Sequence, residues 1–73
     1  MTINRKSVIS SNLASVGYDE DSRTLEVEFV SGSVYQYTNV PLRIYTGLMN
    51  DISKGEYFDE NVKKGGYHFR QIR

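Results

Sequence analysis

The stretch from Thr24 to Tyr37, TLEVEFVSGSVYQY, constrains the fold more than any other part of the chain. Leu25, Val27 and Phe29 alternate with Thr24, Glu26 and Glu28, which is the pattern of a strand with one buried face. Ser31-Gly32-Ser33 interrupts it, and Val34 to Thr38 alternates again. The length of the connecting loop decides which face of the second strand joins the apolar one. An even loop sets Val34 and Gln36 opposite Leu25, Val27 and Phe29, whereas an odd loop sets Tyr35 and Tyr37 there. Gly32 can supply the positive φ of a type I turn followed by a G1 bulge, so the odd loop is expected. Tyr35 and Tyr37 are then core residues, with only their hydroxyls reaching water.

The segments on either side extend this hairpin. Leu13 to Tyr18 is short and apolar enough for a strand, with Gly17 marking a bulge or a close backbone approach. Asp19-Glu20-Asp21-Ser22-Arg23 reads as a hairpin turn in which Asp19 accepts hydrogen bonds from the backbone that follows. It is not a calcium loop, since Arg23 and Thr24 stand where an oxygen ligand and the sharp-turn Gly belong.

At Asn39-Val40-Pro41 the period changes to about 3.6. Asn39 or Val40 caps a helix, Pro41 sits in its first turn, and Ile44, Tyr45, Leu48, Met49 and Ile52 form its apolar stripe. Gly47 within it is expected to let the helix approach the sheet. Ser53-Lys54-Gly55-Glu56 fits a capping box opening a second, short helix that carries Tyr57, Phe58 and Val62. Gly65-Gly66 ends it, and Tyr67-His68-Phe69-Arg70 alternates like a strand or a docked tail.

The expected architecture is therefore α+β: a three-stranded antiparallel meander followed by two short helices packed on one face, with a docked extended C-terminal segment. Residues 1–7 are expected to form a flexible arm and residues 8–73 a single domain. The expected core is Leu13, Val16, Leu25, Val27, Phe29, Tyr35, Tyr37, Ile44, Tyr45, Leu48, Ile52, Tyr57, Phe58 and Val62. A chain of 73 residues buries only about 60% of its unfolded surface, so each of these matters.

Composition narrows function mostly by exclusion. There is no cysteine, which fits a reducing compartment, and no apolar run of membrane-spanning length or signal-peptide character, so a cytoplasmic location is expected. His68 is the single histidine, and no G-x-S-x-G, H-E-x-x-H or G-x-x-x-x-G-K-[ST] motif occurs. Neither a metal site, a cofactor nor an enzymatic activity is expected. The formal net charge is zero, but its distribution is uneven: Asp19 to Glu28 holds five acids against one base, and Val62 to Arg73 holds four bases and no acid. Lys63, Lys64, Tyr67, His68, Arg70 and Arg73, joined by Arg5 and Lys6, interleave cations with aromatics, a combination that neutralises phosphates while rings stack on bases. Ordinary solvated charge is the alternative. The opposite sheet face, with Glu26, Glu28, Gln36 and Thr38, would repel phosphate.

Ser10-Ser11-Asn12-Leu13, Val16-Gly17-Tyr18-Asp19, Leu25-x-Val27-x-Phe29, Gly32-x-x-Tyr35-x-Tyr37, Val40-Pro41 and Ser53-x-Gly55-x-Tyr57-Phe58, taken in order with the basic aromatic end, resemble the KTSC family. That short domain is named from its occurrence at the C-terminus of some lysyl-tRNA synthetases and is also found as small bacterial and phage proteins. The match runs from about Val8 to the end of the chain. The resemblance implies a stand-alone bacterial or phage module of unestablished function. Its synthetase context points to RNA, either tRNA or single-stranded, as the partner, with another protein as the alternative. It carries over no catalytic or ligand residues, so Tyr35 and Tyr37 match a family mark without a role.

Overall fold

The computed structural model describes residues 3–73. Five antiparallel strands form one sheet in chain order: β1 (Arg5–Ser7), β2 (Leu13–Asp19), β3 (Thr24–Phe29), β4 (Val34–Tyr37) and β5 (Phe69–Gln71). Helices α1 (Leu42–Asn50) and α2 (Lys54–Asn61) come between β4 and β5, followed by a 3-10 turn at Lys63–Gly65. The α+β class and the central meander are as expected, but the sheet has five strands rather than three. The arm and the tail supply the two additional ones. Arg5–Ser7 pairs with Gly17 to Ser15, and Phe69–Gln71 pairs with Tyr37 to Tyr35. Met1 and Thr2 of the expected arm lie outside the described residues.

The central hairpin closes on an odd loop. Phe29 N–H donates to Ser33 O at 2.9 Å and Gly32 N–H to Phe29 O at 2.9 Å, while Gly32 takes φ +100°, the bulge conformation glycine favours. Leu25 consequently faces Tyr37, and Val27 faces Tyr35. The bulge in β2 falls between Leu13 and Ser15 rather than at Gly17, where close approach is the operative feature: a Cβ there would collide with Asn4 O.

One face of the sheet presents Val16, Leu25, Val27 and Tyr37, and both helices pack on it through Ile44, Leu48, Phe58 and Val62. Phe58 is fully buried and meets Phe29 and Tyr37 edge-on, at centroid distances of 5.5 and 5.6 Å. Tyr18 and Tyr45 stack at 5.3 Å, and the Tyr18 hydroxyl donates to Val40 O at 2.5 Å. Val40 is itself buried, an addition to the expected core.

Ile52 is a correction in the other direction, being 96% exposed. Helix α1 stops at Asn50 because Asp51 turns extended and its carboxylate accepts the Ser53 N–H at 2.7 Å, which leaves Ile52 on the outside of the interhelical bend. That same bond replaces the expected capping box, and Ser53 makes no side-chain cap. Gly47 admits the Tyr57 ring of α2, not the sheet.

Phe58→Ala removes the ring on which sheet and helices converge. We expect a loss of about 3 to 5 kcal/mol, read from the urea midpoint. A midpoint within error of the parent would contradict this account of the core.

Candidate nucleic-acid interface

The alternation of the strands divides the sequence-identified cations between two surfaces. Arg5 and Arg70 lie on the sheet face away from the helices, in one cross-strand row: Arg5 opposite Gly17, Gly17 opposite Glu26, Glu26 opposite Gln36, and Gln36 opposite Arg70. The Arg5 guanidinium spans β2 and forms an ion pair with Glu26 on β3. The Gln36 amide donates to the other oxygen of Glu26 at 2.8 Å, and its carbonyl oxygen accepts from Arg70 Nε at 3.3 Å and Nη2 at 3.1 Å. Arg5 Nε also donates to Ser15 Oγ at 2.9 Å, and Ser15 in turn donates to Glu28 at 2.8 Å. Arg73 closes the network with an ion pair to Glu28 at 2.8 Å. The Ser15 hydroxyl, helped by Arg5 and Arg73, holds the Glu28 carboxyl below the ordinary value against the opposing effect of burial.

This face is therefore not the solvated acidic surface its sequence suggests. Glu26, Gln36, Ser15 and Thr24 are buried, and both carboxylates are paired. Lys63 and Lys64 lie elsewhere, on the 3-10 turn after α2, where Lys64 makes an exposed ion pair with Glu60 at 3.0 Å. Lys6 is exposed on β1, on the side opposite Arg5 and at the far edge of the sheet from β5. His68 is exposed just before β5, its carbonyl accepting the Thr38 N–H at 2.9 Å. The eight residues thus do not form one patch.

What the C-terminal segment does build is an aromatic cleft. The helices cover the middle of the sheet and leave the β4–β5 end open, so Tyr37 is core whereas Tyr35 is half-buried. Tyr35 stacks beside Tyr37 at 6.4 Å and meets Phe29 edge-on at 5.7 Å. Phe69 on β5 leans on both tyrosines, at 6.0 and 5.5 Å, yet remains 63% exposed. Facing these rings across a space of about 450 Å³ are Tyr67 and Val62, with exposed Lys63 beside them and Ser31 and Ser33 of the hairpin loop at another wall. Sequence reasoning identified Tyr67 and Lys63 but placed Tyr35 wholly in the core. The odd-loop register gives Tyr35 the helix-side face, and the reach of the helices over that face, which alternation does not encode, leaves it half-buried.

The family model for the KTSC domain matches residues 9–69. This chain belongs to the KTSC family. A protein of Stutzerimonas stutzeri (strain A1501) is 38% identical over 68 residues, covering 93% of this chain and 96% of that protein. A lysine–tRNA ligase of Trichormus variabilis is 44% identical over 55 residues, which is 75% of this chain but 10% of the ligase. The crystal structure of a KTSC domain protein from Yersinia pestis superposes with a TM-score of 0.87 at 42% identity, covering 99% of this chain and all of that one.

The KTSC tyrosines are set apart by their surroundings. Burial, with Tyr35 adding to it, pushes the Tyr37 phenol up to about 12 from an ordinary 10. The folded domain therefore keeps Tyr37 protonated at a pH where the unfolded chain ionises it, and the resulting stabilisation is complete below pH 10. It is lost as the pH rises from 10 to about 12. We expect Tyr37→Phe to flatten the fall of the urea midpoint across that range. Equal slopes for the parent and Tyr37→Phe would contradict the placement of Tyr37.

Proposed function

We propose that this KTSC domain is a non-enzymatic binding module that takes an unpaired RNA base into the cleft between β4, β5 and the turn after α2. The observation that carries the reading is the cleft itself: half-buried or exposed rings of Tyr35, Tyr67 and Phe69 gathered around one lysine. Flat apolar walls stack on a base regardless of its identity, and Lys63 supplies a cation for the attached phosphate. An aromatic cage could also suit a quaternary ammonium, but Lys63 lies on the wall and no carboxylate lines it, so charge favours an anionic ligand. The kinship with lysine–tRNA ligases supports RNA by analogy.

The alternative is a protein-interaction module, and a separate feature favours it. Ile9 and Ile52 are 95% and 96% exposed and flank one shallow groove between the β1–β2 loop and the interhelical bend.

An amide-shift titration with tRNA and with a short single-stranded RNA, at low and physiological salt, separates the two. Shifts at Lys63, Tyr67, Phe69 and Tyr35 that shrink as salt rises are the expected result. Tyr67→Ala should cost about 1 to 3 kcal/mol of binding, the worth of one stacked base. Absence of shifts at low salt would end the RNA reading and turn attention to the Ile9–Ile52 groove.

A further inference from the structure

Strand β5 is an edge, and its two faces differ. Phe69 faces the aromatic cleft, and Arg70 the opposite side, where a notch of about 190 Å³ is lined by Arg70, His68, Thr38 and Gln36, with Phe69 at its border. Phe69 therefore borders both spaces. We infer that this notch is a phosphate subsite, and that an RNA strand with its base in the cleft crosses the β5 edge so that the adjoining backbone phosphate reaches Arg70. The inference rests on the RNA reading of the cleft and adds a second contact on the other face of the sheet.

Arg70 differs from the other two arginines of its face. Arg5 is paired with Glu26 and Arg73 with Glu28, whereas no carboxylate pairs with Arg70 among the described residues. Its partner is a neutral amide oxygen, which fixes the guanidinium through Nε and Nη2 without cancelling its charge. The orientation of that amide is dictated from behind. Glu26 can only accept, so the Gln36 nitrogen must turn toward it and the oxygen toward Arg70. Glu26 and Gln36 are thus positioning residues, holding a charged fork preorganised for an oxyanion. The His68 ring and the Thr38 hydroxyl are the other polar groups of the notch.

The edge itself adds donors. His68 O accepts from Thr38 N–H and Ile72 N–H donates to Val34 O, so residues 68, 70 and 72 turn their backbone groups toward β4. The alternation of an antiparallel ladder then turns the N–H groups of Phe69 and Gln71 outward, along the path between cleft and notch.

The test is fluorescence anisotropy of a labelled single-stranded RNA hexamer across a salt series, with amide spectra confirming each variant's fold. Arg70→Gln, an exposed change, should weaken binding about tenfold and reduce the log–log salt slope by about 0.7, one single-strand counterion. Gln36→Met should weaken binding while keeping the slope, and should add nothing in the Arg70→Gln background; a loss that persists in the double variant would mean that Gln36 acts only through stability. Binding by the parent that Arg70→Gln leaves unchanged in affinity and slope would overturn the notch and spare the cleft. No binding by the parent would overturn both.

Discussion

A carboxylate buried in the middle of a sheet must be answered by hydrogen bonds and opposite charge, and in this domain the answer to Glu26 arranges the whole second face. Desolvating an ion pair costs several kcal/mol unless the remaining lone pairs are satisfied. Glu26 meets that condition with Arg5 on one side and Gln36 on the other. Gly17 lies between Arg5 and Glu26 in the cross-strand row, and with no Cβ there Asn4 O and the Ile3 side chain pack directly on β2 beside the guanidinium that reaches β3. The pairing also accounts for β1, a three-residue strand of Arg, Lys and Ser with little apolar surface to hold it in place. Ile3, buried against Gly17, is the apolar complement of the same attachment.

The hairpin was legible because two constraints met in it. Period-two alternation gives each strand two faces, and Gly32 sets the parity that joins them, so the sequence alone assigns Tyr35 and Tyr37 to the helix side. Strand β1 escaped the same logic, whereas the alternation of Tyr67 to Arg70 left β5 open between a strand and a docked tail. Alternation signals a strand only when one face is apolar, and Arg5-Lys6-Ser7 has no such face. For the same reason Thr24, Glu26 and Gln36 read as solvent-facing although they are buried, since a polar network satisfied across strands looks like surface in one dimension. Ile52 failed for a different reason. Its spacing fits the stripe of α1, but a single Asp51 hydrogen bond ended the helix before it.

The interface was legible in its membership more than in its shape. Lys63 to Arg73 gathers cations and rings in eleven residues, and the gathering suggests a patch. A strand cannot present consecutive residues on one surface, however, and once β5 pairs with β4 the ring of Phe69 and the guanidinium of Arg70 are assigned to opposite faces. The acidic bias of residues 19–28 likewise has two fates. Asp19 closes the β2–β3 turn, its carboxyl held low by the Ser22 hydroxyl and N–H, while Glu26 and Glu28 answer arginines from both ends of the chain.

An edge strand is the one place where both faces of a sheet can be reached by a single flexible ligand, and it is also where sheets recruit further strands. Strand β5 spans three residues and is followed by Arg73 anchored to Glu28 and to Gly32 O, so the edge is short and charged. Those properties disfavour continuation of the ladder by another chain. They do not hinder a ligand that needs two or three contacts instead of a register. Short length therefore protects the edge from sheet extension while leaving an aromatic ring and a guanidinium accessible on either side of it, and Glu26, on the central strand β3, keeps that guanidinium in place through Gln36.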